Sequence, residues 1–379
     1  MLSSILLQLI VFFLPTQLGL HFWPDFSRAA GLRVDYLSPT LYLTDLLILL
    51  YLVSRIPPIL SWLKRHLRPL VILVLFIGLN TVLSSSPHNT LFWWSRFLFY
   101  LVFFLSLRLQ KITWSQIKNL LLLSTSLVIC LEIFQLYHQS SLGGLPYWFG
   151  ERAFTSSTSG LGRLFLFGLD LVRPQSTFSH PNSLAGYLLI IYYLFHLHRS
   201  PLWQRVAIFV GLLLTFSKGA LLAFLLVVIF NLRPHLLLII FTTLSLSQLF
   251  LPTLAHSPSF ISDRLFFLNP LRKMILRRPL LGVGLGGFIP ALAGLLPGSF
   301  LLPSKLQPVH NIFLLALSEI GLLGSLLLGW LAHFQLKLLS KPRFAGLLAL
   351  ITITGTFDHY WWTLPQNKLI LLLASAILL

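Results

Sequence analysis

The chain has 379 residues, of which 56% are hydrophobic and only 9% charged. A soluble domain carries about 25% charged residues, so there is too little polar surface here to cover a water-soluble enzyme or binding module, and a disordered chain would be far more polar. A formal charge of +18 on a soluble chain would point to nucleic acid. On a chain this apolar it reads as basic loops that orient membrane helices, and no nucleic-acid partner is expected.

Apolar runs follow one another near 2–20, 41–57, 69–84, 91–108, 117–137, 183–198, 206–216, 219–232, 236–252, 309–333, 344–357 and 367–379. A bilayer core about 30 Å thick needs about 20 apolar residues per helix. The expected fold class is therefore an all-α polytopic membrane protein, one integral-membrane domain over 1–379 with about twelve transmembrane helices. The first run has no basic leader and no small-residue cleavage site, so it reads as a retained span. The runs flanking Ser217-Lys218-Gly219 are short and are expected to be tilted or re-entrant.

Alternate connections hold Arg55, Lys64, Arg65 and Arg68; Arg108, Lys111 and Lys118; Arg199 and Arg205; Arg233; and Lys337, Lys341 and Arg343, with no acid among them. Positive connections stay in the cytoplasm, which puts both termini there. All nine acids then fall in outer loops or spans. Two outer segments, about 138–182 and 253–308, are long enough to suggest function and are expected to carry short amphipathic helices. The single cysteine, Cys130, excludes an intrachain disulfide and a Cys-based metal site.

Four stretches carry chemistry. Arg173-Pro174 precedes a polar segment that enters a span at Pro181-Asn182-Ser183, a helix start suited to phosphate or simply an interfacial Arg beside an ordinary cap. Arg264, Arg272, Lys273, Arg277 and Arg278 share an amphipathic stretch that could lie on lipid headgroups or aim one guanidinium at a diphosphate. Gly282-Val283-Gly284-Leu285-Gly286-Gly287 matches GxGxxG, but with no preceding strand and no Asp or Glu about twenty residues on it reads as a tight turn or close backbone approach. His310-Asn311 stands at the mouth of a span with Glu319 nine residues deeper, where an ionisable group is either functional or the partner of a buried Arg. Asp358 and His359 lie among aromatics that read as an interfacial belt. With no HExxH, no carboxylate pair and no Cys/His cluster, neither metal nor cofactor is expected.

Arg173-Pro174, Phe178 and Pro181-Asn182, then Ser217-Lys218-Gly219, then Arg264, Pro279 and Gly282-Val283-Gly284, then His310-Asn311, Leu314, Gly321 and Gly324, occur in one order and on one side. This order resembles the O-antigen ligase and Wzy-type polymerase superfamily of bacterial membrane glycosyltransferases, over roughly residues 165–330. Lys218 stands where that family often has Arg, and the outer segment between the second and third motifs is compact. The resemblance implies transfer of a glycan from undecaprenyl diphosphate to a hydroxyl of a glycan, lipid or protein acceptor, on the outer face of the bacterial cytoplasmic membrane and with inversion. It implies that Arg173 and Arg264 stabilise the diphosphate and that His310 orients or deprotonates the acceptor. Asn182, Lys218, Arg277, Arg278, Asn311 and Glu319 are the expected substrate-binding residues. A polymerase using a second lipid-linked glycan is the alternative, and a transporter or flippase of lipid-linked oligosaccharide is the alternative of another class.

Overall fold

A computed structural model describes residues 2–166, 168–250, 266–336 and 341–379. Arg264 lies outside these described residues.

The chain is mainly helical, and a helix overlaps each of the twelve apolar runs. In chain order the elements are α1 (Leu2–Phe12), β1 (Gly19–His21), β2 (Arg28–Ala29), β3 (Leu32–Arg33), β4 (Thr40–Tyr42), α2 (Leu43–Val53), α3 (Ile56–Arg65), α4 (Leu67–Val82), α5 (Pro87–Gln110) and α6 (Trp114–His138). There follow α7 (Leu145–Trp148), β5 (Arg163–Leu166), β6 (Leu169–Val172), α8 (Pro181–Leu197), α9 (Leu202–Leu214), α10 (Lys218–Phe224) and α11 (Pro234–Ser247). The last are α12 (Leu268–Arg277), α13 (Phe288–Ala293), α14 (Ile312–Leu336), α15 (Pro342–Gly355), α16 (Tyr360–Thr363) and α17 (Pro365–Leu378).

Helix lengths refine the expectation of twelve spans. Three helices are long and apolar enough to cross a membrane: α5, α6 and residues Ile312–Leu331 of α14. The pair α2 and α3, bent by 76° at their break, would make a fourth. The remaining apolar helices are shorter because turn residues cut the runs. The helix of run 2–20 ends at Phe12, ahead of Pro15, and run 41–57 breaks where Pro57 and Pro58 open α3. Their surfaces are nonetheless lipid-like: Leu75 is 68% exposed and Val82 74% on α4, with Ile239 65% exposed on α11. A water-soluble protein rarely leaves such contiguous apolar faces open.

The core is built around α8, whose side chains from Ser183 to Ile191 are all buried. It packs against α9, α10, α15 and α17. In lipid, packing and hydrogen bonds rather than burial hold helices together. Ser183 Oγ donates to Asn367 Oδ1 at 2.5 Å, Asn367 Nδ2 donates back to the Ser183 carbonyl at 2.9 Å, and Thr125 and Tyr187 share a hydrogen bond of 2.9 Å.

The glycine-rich stretch and α14 explain each other. Gly321 interrupts α14 with φ 64° and ψ −173°, a conformation open essentially to glycine alone. Residues 279–284 satisfy the backbone groups this break frees. Leu322 and Leu323 donate to the carbonyls of Pro279 and Leu280 at 2.9 and 3.0 Å, while Val283 and Gly284 donate to those of Ser318 and Glu319 at 2.8 and 2.9 Å. A Cβ at Gly282 would lie 2.5 Å from the Glu319 carbonyl, so the glycines serve close backbone approach.

The segments that the charge bias assigns to the outside contain more than the short helices expected of them. The first connection forms two small antiparallel ladders, β1 with β4 and β2 with β3. Segment 138–182 holds a four-residue helix, α7, and the antiparallel hairpin of β5 and β6 rather than an amphipathic helix. In segment 253–308, α12 is amphipathic as expected: Leu268, Leu271 and Met274 are buried, and Lys273 and Arg277 face outward.

Candidate active site

α8 opens on Pro181, whose missing N–H costs nothing at the first helical position. His180 caps the helix, its Nδ1 accepting the Asn182 N–H at 3.1 Å. The Asn182 side chain joins two groups of opposite charge. Its Oδ1 accepts from Arg173 Nη2 at 2.8 Å, and its Nδ2 donates to Asp358 Oδ2 at 2.8 Å. Arg173 is held from behind by the carbonyl of Thr215, which accepts from Nε at 2.9 Å. Thr215 is two residues before Ser217, so the short-run break reaches the site through backbone.

Asp358 lies in the connection between α15 and α16. Its Oδ1 accepts the His359 backbone N–H at 2.7 Å and faces His310 Nδ1 at 3.8 Å. The latter distance is too long for a hydrogen bond, so the two groups are coupled through charge. The His310 and His359 rings are 5.2 Å apart, and His359 Nδ1 shares a 2.9 Å hydrogen bond with Thr363 Oγ1. Burial alone would push the Asp358 carboxyl up; the facing His310, with His359 and His180, reverses this and holds it well below the usual carboxylate range. Burial pushes His359 down to about 3 against the pull of Asp358, so its ring is neutral at neutral pH.

His310, Asp358 and His359 open into a cavity of about 900 Å³. Its walls come from β1 and β4, α5, residues 147–153, 160–161, 179–180, 304–310 and 358–368. Apart from α5 and the start of α17, these are segments that the charge bias places outside. Four Lys or Arg side chains line it (Arg96, Arg152, Lys305 and Lys368) against three acids, Asp35, Glu151 and Asp358. Arg96 pairs with Asp45 at 2.7 Å and Arg152 with Asp35 at 2.8 Å. Glu151 accepts Gln135 Nε2 and the backbone N–H groups of Leu142 and Gly143.

The predicted residues divide. Arg173, Asn182 and His310, from two separate motifs, are joined through Asp358, and only His310 of the three lines the cavity. Lys218 is exposed at the start of α10 and does not line it. Arg277 and Arg278 are exposed at the end of α12, where Arg278 donates to the Leu83 carbonyl, and neither reaches the cavity. Asn311 is buried and caps α14, its Oδ1 accepting from the backbone of Phe313 at 3.0 Å and Leu314 at 3.2 Å. Among the described residues Glu319 partners no Arg; its Oε2 accepts from Trp362 Nε1 at 2.8 Å.

Sequence alone reads Asp358 and His359 as part of an interfacial belt, because the aromatics around them account for that equally well. The usable signal was an acid followed by His in a short connection between apolar runs that carries no Lys or Arg. The sequence shows no metal-ligand motif, but the fold brings three candidate ligands together. His310, Asp358 and His359 each offer a ligand atom, all within 4.8 Å of one another, which could hold a metal ion. His359 Nδ1 is already engaged with Thr363 Oγ1, which leaves its Nε2 as the ring atom free to ligate.

No protein-family model, no curated protein and no solved structure matches this chain.

Proposed function

We propose that the chain is an O-antigen ligase-like membrane glycosyltransferase. It moves a glycan from undecaprenyl diphosphate to an acceptor hydroxyl on the outer face of the bacterial cytoplasmic membrane, without a metal and with inversion. The proposal includes the twelve-span arrangement with both termini in the cytoplasm. The observation that carries it is the convergence of Arg173 and Asn182 with His310 at Asp358, beside a cavity large enough for sugars.

The chemistry follows from the geometry. With Nδ1 turned to the Asp358 carboxylate, His310 presents Nε2 as the proton acceptor. The acceptor oxygen attacks the anomeric carbon, its proton passes to Nε2, and the bond to the diphosphate breaks with the electron pair leaving on the diphosphate oxygen. Asp358 stabilises the imidazolium so formed. A 3.8 Å approach can tighten when substrate is bound. Arg173 is engaged with Thr215 and Asn182, so here it is a positioning residue that holds Asp358 through Asn182. Arg264 retains the diphosphate-binding role that the resemblance implies.

The test uses purified protein in nanodiscs with a labelled undecaprenyl diphosphate oligosaccharide and an envelope acceptor fraction. Release of undecaprenyl diphosphate should require the acceptor and should disappear in His310→Ala and Asp358→Asn while both variants stay folded. A single product would mark a ligase and a ladder a polymerase. Tight lipid binding without release under any acceptor would overturn the catalytic reading in favour of a transporter.

A further inference from the structure

A second cavity meets the first. It is a slot of about 270 Å³ walled mainly by apolar side chains, among them Phe97, Leu101, Leu285, Ile289 and Leu372. Tyr36, Trp93, Tyr100, Thr363 and Lys368 line both cavities. Of these only Lys368 is a cation, and it stands where the apolar wall gives way to the polar one.

Lys368 differs from Arg96 and Arg152 in touching no anion: the charge of Glu319 acts on it, but from beyond ion-pair distance. Arg96 and Arg152 are paired with Asp45 and Asp35. Lys368 Nζ lies 5.4 Å from the centre of the Trp93 ring, and among the described residues it makes no ion pair and no side-chain hydrogen bond. Glu319, the acid on the slot wall, is turned to Trp362 Nε1 and to the backbone N–H of Phe288. Lys368 also occupies the first turn of α17, where the helix dipole disfavours a cation and favours an anion. A half-buried ammonium whose one direct contact is a ring face, with its acid not in ion-pair contact, is poorly compensated. An incoming phosphate would supply the missing charge and accept its hydrogen bonds.

We infer that the slot and Lys368 form the binding site for an isoprenoid phosphate, with the first units of the chain in the slot and the phosphate on Lys368. Sugars attached to that phosphate would extend into the polar cavity toward His310. This rests on the reading of the donor as a polyprenyl diphosphate glycan. The shared chemistry is an anionic head on an apolar chain, which a phospholipid also has, so the test must separate the two.

Parent protein, Lys368→Gln, Lys368→Met and Lys368→Arg are placed in phosphatidylcholine nanodiscs, and bound lipid is counted by native mass spectrometry. The probes are undecaprenyl diphosphate, undecaprenol, inorganic diphosphate and phosphatidylglycerol. The expected result is a loss of undecaprenyl diphosphate affinity of about tenfold or more in Lys368→Gln and Lys368→Met, from one charge-assisted contact. Undecaprenol binding should be unchanged, which also shows that the slot is intact, and Lys368→Arg should recover most of the affinity. Unchanged diphosphate-lipid binding in Lys368→Gln overturns the site. So does an equal loss of undecaprenol, or full competition by inorganic diphosphate or phosphatidylglycerol. The same samples are then given a glycan donor and an acceptor. Lys368-dependent binding without transfer would sink the transferase reading and keep the site. Transfer with affinity and rate unaltered in Lys368→Gln would do the reverse.

Discussion

Asn182 and Asp358 are 176 positions apart in the chain, yet Asn182 Nδ2 donates to Asp358 Oδ2 at 2.8 Å while its own Oδ1 holds Arg173. One amide thus separates a guanidinium from a carboxylate and aligns that carboxylate with His310. Asn182→Ala is expected to lower stability by about 1.5–3 kcal/mol, the usual cost of losing a hydrogen bond to a charged group. Thermal unfolding in detergent measures this. If the amide is the link, Asn182→Ala and Arg173→Ala in one protein cost less than the sum of the two singles. Strict additivity would remove Arg173 from the positioning role.

Under the proposed function, His310→Ala lowers the transfer rate about 10²–10⁴-fold, the usual contribution of a general base. Asp358→Asn keeps the shape and removes the charge, so it should reduce kcat with little change in KM. Steady-state kinetics in nanodiscs separates the two effects. A purely raised KM in Asp358→Asn would mean that the carboxylate binds substrate rather than supporting His310.

Removal of metal provides an independent check, since His310, Asp358 and His359 are close enough to share an ion. Dialysis against a chelator is expected to leave transfer and unfolding temperature unchanged, and added manganese or zinc should inhibit by occupying His310. Loss of activity on chelation, restored by one metal, would replace the base mechanism with a metal-assisted one.

The His359 ring makes a pH prediction whose sign is fixed. Burial depresses its pKa to about 3, whereas an unfolded histidine titrates near about 6.5. Below that value the unfolded chain gains a proton that the folded one refuses. Stability is therefore full above about pH 6.5 and falls as the pH drops toward the folded value, by at most about 1.4 kcal/mol per pH unit. Unfolding temperatures recorded between pH 7.5 and 4.5 should decline, and His359→Asn should flatten the decline. An unaltered slope in that variant would place the titrating group elsewhere. His21, whose pKa burial also lowers, is the next position to examine.

Gly321→Ala should destabilise by about 1–3 kcal/mol from its backbone angles alone. A further penalty arises because the new Cβ would lie 2.3 Å from the Leu280 carbonyl oxygen. Gly329→Ala in the same helix meets nothing within 4 Å and serves as the control. Equal unfolding temperatures for the two variants would mean that the break in α14 is not held by residues 279–284.

Much of the architecture was legible because a membrane helix satisfies its own backbone and needs only a run of apolar residues. Runs 91–108 and 117–137 became α5 and α6 almost unchanged, and the close-approach reading of Gly282 to Gly287 matched the packing. Where helices stop was less legible. The break in α14 depends on carbonyls some forty residues upstream, and the hairpin of β5 and β6 is a local choice within a loop that periodicity did not mark.

The site shows the same division. A polar residue at the mouth of an apolar run is costly to place, and that cost exposed Arg173, Asn182 and His310 in the sequence. It also drew attention to Lys218, Arg277 and Arg278, which the folded chain leaves facing outward, and to Asn311, which it spends on a helix cap. Asp358 and Lys368 carried no such signal, since an aromatic belt and a helix start explain them equally well in isolation. Their surroundings come from α5, α8 and residues 304–310. Sequence composition by itself determined that the chain is built mainly of apolar helices, because solvent transfer energies act on each segment separately. Only the tertiary structure decided which polar groups share a cavity, because charge pairing and exclusion of water act between segments and leave no local trace.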